Sequence, residues 1–467
     1  MRNKKQMNKL ALQTKLKRLL IAGELAALVA VPLLFSNAGM RKVDAAQGDV
    51  KINSTNFPDE GFRKYISKNI DRNKDGVLSK AEIKKVTEIK LEHYDEAGNE
   101  YVYNDLTGIG VFTELKSLEC ESQKDLSKLD LHKNTKLEFV KCGRNGIKEL
   151  NVSKLTKLKE LRCYVNKLTK LDVSKNVNLE ILDCESNNLT GLDLRKNTKL
   201  VELYCGGNKL TKLDLTKNTK LNNLWCYDNK LTKLDVSKNT KLFKINCDNN
   251  KLTKLDLTKN LNLIYLYCSG NKLTGLNVDK NEKLECLWCN DNKLTKLRLT
   301  NNKQLVSLEC TRNQLTQLDT SHNNALVWVD CADNKLTKLD LSASPLCQRI
   351  VCEENKLTEI IVPKNMETDG IMYDKNLKVS IKKKTKPVKN GTYFVEDTYN
   401  HPYCIFRVTS TKAGNRTAAL GVWSNAGAFG TKGWKRNMKG IKNGVIVQPL
   451  DGSGVTPVSM PSKSTVA

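Results

Sequence analysis

Residues 71–82 read DRNKDGVLSKAE, with oxygen-bearing groups where a hard cation would need them. Ca²⁺ takes six to eight oxygens around a tight turn, and a twelve-residue loop presents them from positions 1, 3, 5, 7, 9 and 12. Here those positions hold Asp71, Asn73, Asp75, Val77 through its carbonyl, Ser79 through a water, and bidentate Glu82. Gly76 permits the turn and Leu78 is the inward apolar residue. A plain Asp/Asn/Gly turn capping a helix is the competing reading, but the ligand spacing makes Ca²⁺ the expected cofactor.

Cysteine is the second chemistry. The chain has fifteen, an odd number, so complete pairing within it is excluded. From Cys120 a cysteine recurs at 142, 163, 184, 205, 226, 247, 268, 289, 310, 331 and 352, at intervals of 22 and then always 21 residues. Cys347 falls where other units place a leucine. Stacked one per strand at ~4.8 Å, these thiols have near-parallel Cα–Cβ vectors and poor disulfide geometry. They read as buried small hydrophobes. Cys286 and Cys404 are left as strays: Cys286 lies three residues before Cys289, on the other face of a strand, and Cys404 follows His401 with no third partner. No catalytic residue is assigned, and an enzyme is not expected.

The element that positions these cysteines is a 21-residue repeat. Leu200–Lys220 reads LVELYCGGNKLTKLDLTKNTK, within the pattern LxxLxCxxNxLxxLx[LV]xxNxx of a leucine-rich repeat. Leu203 and Cys205 alternate with Glu202 and Tyr204, so they point inward from a short strand. Asn208 can satisfy backbone groups as the chain leaves the strand, and Leu210, Leu213 and Leu215 form the second apolar half. One coil cannot bury these residues alone, so coils must stack. The expected fold is a mainly parallel β solenoid over residues 106–365, with twelve Cys-register units. Residues 50–95 form an α-helical calcium cap, because Phe62, Tyr65 and Ile66 before the loop and Ile83, Val86 and Ile89 after it have helical spacing.

Charge narrows the partners. The formal net charge is +27. Residues 1–45 combine a basic start, the apolar run Leu25–Phe35 and small residues suited to cleavage, the order of a secretory signal, and they hold +7 of that charge. No other apolar stretch has spanning length, so a mature chain without a transmembrane span is expected outside the cell. Residues 366–389 read as a basic linker and 390–467 as a small basic β-module or tail, together +10. The outward strand positions (three and one before each register cysteine, one and two after it) hold fourteen acids and six bases. Nucleic acid is therefore not an expected partner. The same positions carry Tyr204, Trp225, Tyr227, Tyr265, Tyr267, Trp288 and Trp328, aromatic residues of the kind that anchor interfaces or stack on sugars.

The 21-residue unit resembles the bacterial LxxLxLxxNxLxxLDLxxN repeat, and NFPDEGFRKYI…DRNKDGVLSKAEI resembles the EF-hand-type calcium-loop cap that precedes such repeats in secreted or surface proteins of Gram-positive bacteria. Internalin-like adhesins are the broader relatives. The resemblance implies a monomeric, secreted or cell-surface adhesion protein whose concave face binds a protein or glycan. The alternative is a structural wall-associated protein, held to anionic cell-wall polymer by its basic carboxy-terminal region.

Overall fold

A computed structural model describes residues 48–91, 102–123, 125–363, 366, 370–374 and 380–384, together with the backbone of five strands between 391 and 459. The signal-like segment 1–45 lies outside the described residues. Among those described, no helix is long and apolar enough to cross a membrane.

The solenoid is a parallel sheet of fourteen short strands, one per coil. In the coil of Glu202–Tyr204, Glu202 pairs with Asn223, Leu203 with Leu224 and Tyr204 with Trp225. All but the last of these strands are three residues long, because the coil must turn straight after the register cysteine. The residue two positions beyond that cysteine takes a left-handed conformation in coil after coil: Val165 at φ 49°, Ser186 at 52°, Gly207 at 63°, Asp228 at 48°. Leu203, Cys205 and Leu210 are fully buried, as are their equivalents along the stack, so the core is one continuous column.

Two asparagine ladders close the coils. Asn208 Nδ2 donates to the carbonyls of Cys184 and Cys205 at 3.0 and 3.2 Å, while its Oδ1 accepts from Leu189 N at 3.0 Å. On the far side Asn218 Nδ2 donates to Leu194 O and Asn197 O. An amide in each place satisfies backbone groups that the three-residue strand cannot pair.

The amino-terminal region contains helix α1, Glu60–Asn69, capped by Asp59 Oδ1 accepting from Phe62 N at 2.7 Å. It buries Phe62 and Ile66 against the first coils. The loop then leads into α2, Lys80–Lys85, which starts from a Ser79–Glu82 capping box. The second helix is shorter than its spacing suggests. Val86 is already extended, and Ile89 lies in strand Glu88–Lys90, the first of the parallel sheet. Branched Val86, Thr87 and Ile89 favour the strand, and pairing with Ser117–Glu119 secures it. The stack thus begins before residue 106.

It also ends later than residue 365. Ile371–Met372 pairs in parallel with Arg349–Val351, and Ser380–Lys384 pairs with Glu359–Pro363 in a second parallel sheet beside Lys338–Asp340. Met366 and Ile371 fill inward positions and are buried. The described residues of the expected linker, 366, 370–374 and 380–384, therefore continue the stack. Beyond it, Gly391–Val395, Cys404–Ser410, Arg416–Val422, Val445–Pro449 and Val458–Ser459 form a five-stranded sheet in chain order.

Candidate binding face and calcium loop

The outer side of the parallel sheet brings six of the seven aromatic residues together in two groups. Tyr204, Trp225 and Tyr227 meet edge to face, with ring centroids 5.5 and 6.2 Å apart. Tyr267 and Trp288 meet at 4.7 Å, over a cluster that includes Tyr265 and Cys286. Lys244 joins the groups: its Nζ lies 5.2 Å from the Trp225 ring centre and 5.4 Å from that of Tyr265. Trp328 stands apart, under the Arg349 guanidinium at 4.7 Å.

These side chains are less exposed than outward strand positions suggest. Trp225, Tyr265, Tyr267 and Trp328 keep only 7–9% of their surface, whereas Tyr204, Tyr227 and Trp288 remain partly open. Coils lie so close that bulky side chains in register bury one another. The same crowding buries Lys244 and Cys286, so Cys286 belongs to the packed sheet face and is no stray. His401 lies outside the described residues, and only the backbone of Cys404 is described.

All fourteen described cysteines are buried free thiols. Loss of water around the thiolate pushes Cys142 and Cys226 up to about 12, which removes them from nucleophilic chemistry at neutral pH.

A row of carboxyl groups that strand alternation alone does not reveal runs beside the aromatics. It occupies the position after the register cysteine, where Glu121, Gly143 and Tyr164 follow one another in successive coils, and Glu185, Gly206 and Tyr227 repeat the order. Each tyrosine lies over the glycine of the coil before it; a Cβ added at Gly143 would come within 2.4 Å of the Tyr164 ring. The Tyr227 side chain reaches toward Glu185 one coil further back and slightly offsets the rise that burial gives that carboxyl. Burial, and then neighbouring Asp183, raise Glu185 to about 8. Burial likewise raises Asp248 and Glu309 to about 7 and Asp183 to about 6. The signal available in the sequence was the recurrence of Glu, Gly and Tyr at three-coil intervals.

The loop of residues 71–82 places its oxygen donors around one turn. Asp71 accepts from Lys74 N at 2.8 Å and Gly76 N at 3.0 Å, and Asp75 accepts from Val77 N at 2.8 Å. Glu82 accepts from Arg72 N and Ser79 N, both at 2.9 Å. Val77–Leu78 pairs antiparallel with Val50–Lys51. The all-oxygen donor set suits Ca²⁺ chemically. Its carboxylates, however, are engaged by the loop's own N–H groups, and no set of three or more His, Cys, Asp or Glu side chains converges as a metal site among the described residues.

No protein-family model and no curated protein matches the chain. Solved structures do. The functional domain of InlJ from Listeria monocytogenes, described as including a cysteine ladder, is 29% identical with a TM-score of 0.60, over 81% of this chain and 93% of that one. An internalin, inlF, of the same organism is 19% identical with a TM-score of 0.55, over 73% and 99% of the two chains. A leucine-rich-repeat protein of Leptospira interrogans is 22% identical with a TM-score of 0.53, over 61% and 82%. The solenoid thus shares the parallel-β, leucine-rich-repeat fold of these internalin and leucine-rich-repeat structures.

Proposed function

We propose that the chain is an extracellular binding protein that engages a protein or glycan through the outer side of its parallel sheet. The observation that carries this reading is the aromatic patch of Tyr204, Trp225, Tyr227, Tyr265, Tyr267 and Trp288, with Lys244 set between its halves and carboxyl groups along its rim. The inner core does not need these rings, since Leu203, Leu224 and their equivalents fill the inside and the rings pack on the outer side of the sheet. The rings are held rigidly by one another, so little rotamer freedom is lost when a ligand covers them. The likeness to InlJ supports a binding role for a solenoid of this kind. The signal-like residues 1–45 support export.

Ca²⁺ belongs to the same reading as a structural cofactor. Asp71, Asn73, Asp75, Ser79, Glu82 and the Val77 carbonyl would hold it, and the ion would tie α1 and α2 to the first coils. The test of the face is binding to arrays of extracellular proteins and glycans. Trp288→Ala and Tyr227→Ala should each lose the ligands that the unaltered chain retains, with the melting transition kept; full retention by both variants would remove the proposal.

A further inference from the structure

The side of the coils away from the aromatic patch carries a different chemistry. After each register cysteine the chain continues as Asn-Lys-Leu-Thr-Lys in many coils. The leucine points inward, while both lysines and the threonine are exposed: Lys209, Thr211 and Lys212; Lys230, Thr232 and Lys233; Lys251, Thr253 and Lys254. Adjacent coils are locked in register here, because Lys230 N donates to Leu210 O and Lys251 N to Leu231 O, both at 2.8 Å. The result is two columns of ammonium groups with a column of hydroxyls between them.

These six lysines form no ion pair among the described residues, unlike Lys338, which bonds Glu359 further along the stack. No acid lies within the Lys-Leu-Thr-Lys tract of these three coils; exposed Asp214, Asp235 and Asp256 follow two residues beyond its second lysine but form no ion pair with the six lysines. Stacking like charges at ~4.8 Å is unfavourable without a counter-charge. A small ion relieves it only diffusely; a linear polymer with a negative group per unit relieves it along the whole track and releases bound counterions. Lysine meets phosphate as a point charge, and the threonine hydroxyls add donors. The tract holds no aromatic side chain on which a nucleobase could stack.

We propose that this lysine–threonine track binds a linear polyol-phosphate polymer lying along the stack, independently of the aromatic face. The test uses the full chain and poly(glycerol phosphate) of defined length, with affinity measured between 50 and 200 mM salt. The variant Lys212→Gln/Lys233→Gln/Lys254→Gln should flatten the slope of log K against log salt by about 2, at roughly 0.7 for each phosphate no longer neutralised. Its melting transition should hold or rise slightly, because the three side chains are exposed and unpaired and their mutual repulsion is removed. Trp288→Ala should bind the polymer unchanged, which separates this site from the proposed function. Replacing Lys432, Lys435, Arg436, Lys439 and Lys442 with Gln should leave most of the slope in place. If those five carry it and the track variant does not, the track is not the site. Tighter binding of a charge-matched oligothymidylate would overturn the choice of polymer.

Discussion

Tyr227 lies with its ring over Gly206: a Cβ at that glycine would come within 2.4 Å of the ring. The missing side chain lets one tyrosine cross a coil and reach Glu185 in the next. Gly206→Ala should therefore expel the ring and destabilise the fold by about 1–3 kcal/mol, the usual range for overpacking. Urea denaturation would measure it. Gly191→Ala is the control, since nothing lies within 4 Å of a Cβ there, and it should be close to neutral.

The raised carboxyls set an unusual pH dependence. Glu185 near 8, with Asp248 and Glu309 near 7, hold protons in the folded chain that the unfolded chain releases above the ordinary values of 4.5 for Glu and 3.8 for Asp. The folded state then binds more protons, so stability falls as pH rises between about 5 and 8. Exposed carboxylates shifted the other way, such as Asp193 at about 2, act below that window and are screened by solvent. The melting temperature should decline from pH 5 to pH 8.5, and Glu185→Gln should reduce the decline. A melting temperature that rises over this range would contradict the burial of these groups.

Val165 is a branched residue at φ 49°, a conformation that glycine and asparagine adopt at lower cost. Val165→Gly should stabilise by about 1 kcal/mol, or somewhat less after the added freedom of the unfolded chain is counted. Thermal melting of the variant decides it.

Asn208→Ala would leave the Cys184 and Cys205 carbonyls and the Leu189 N–H short of a partner inside the stack. The expected loss is about 3 kcal/mol. Asn178→Ala, which removes two exposed bonds, to Thr156 O and from Lys199 Nζ, should cost under about 1 kcal/mol. Equal effects of the two would show that the ladder does not hold the coils.

Chelation tests the loop. If Ca²⁺ ties the cap to the stack, a chelator should lower the first melting transition, and Asp71→Asn with Glu82→Gln should abolish that response. An unchanged melt and helical signal would mean that calcium plays no structural part in the cap.

How much of this was legible depended on repetition. The places of Cys205 and Asn208 could be read because every coil demands the same inward thiol and the same amide. Ile89 could not: Ile83, Val86 and Ile89 have helical spacing, and a three-residue strand is too short to show its own period. Pairing with Ser117–Glu119, not local propensity, decides its conformation. The coil through Met366 and Ile371 was hidden because it has neither the cysteine nor the leucine signature. The depth of Trp225 and Lys244 was hidden for another reason. Strand alternation says which way a side chain points, whereas its burial depends on neighbours a full coil away.

Whether the aromatic face is the binding surface is decided by the retention of extracellular proteins and glycans on three chains: unaltered, Trp288→Ala and the triple lysine variant. Ligands held by the unaltered chain should be lost from Trp288→Ala and kept by the lysine variant. Ligands retained by Trp288→Ala but lost with the three lysines would place recognition on the other side of the coils, and the aromatic face would no longer be the binding surface.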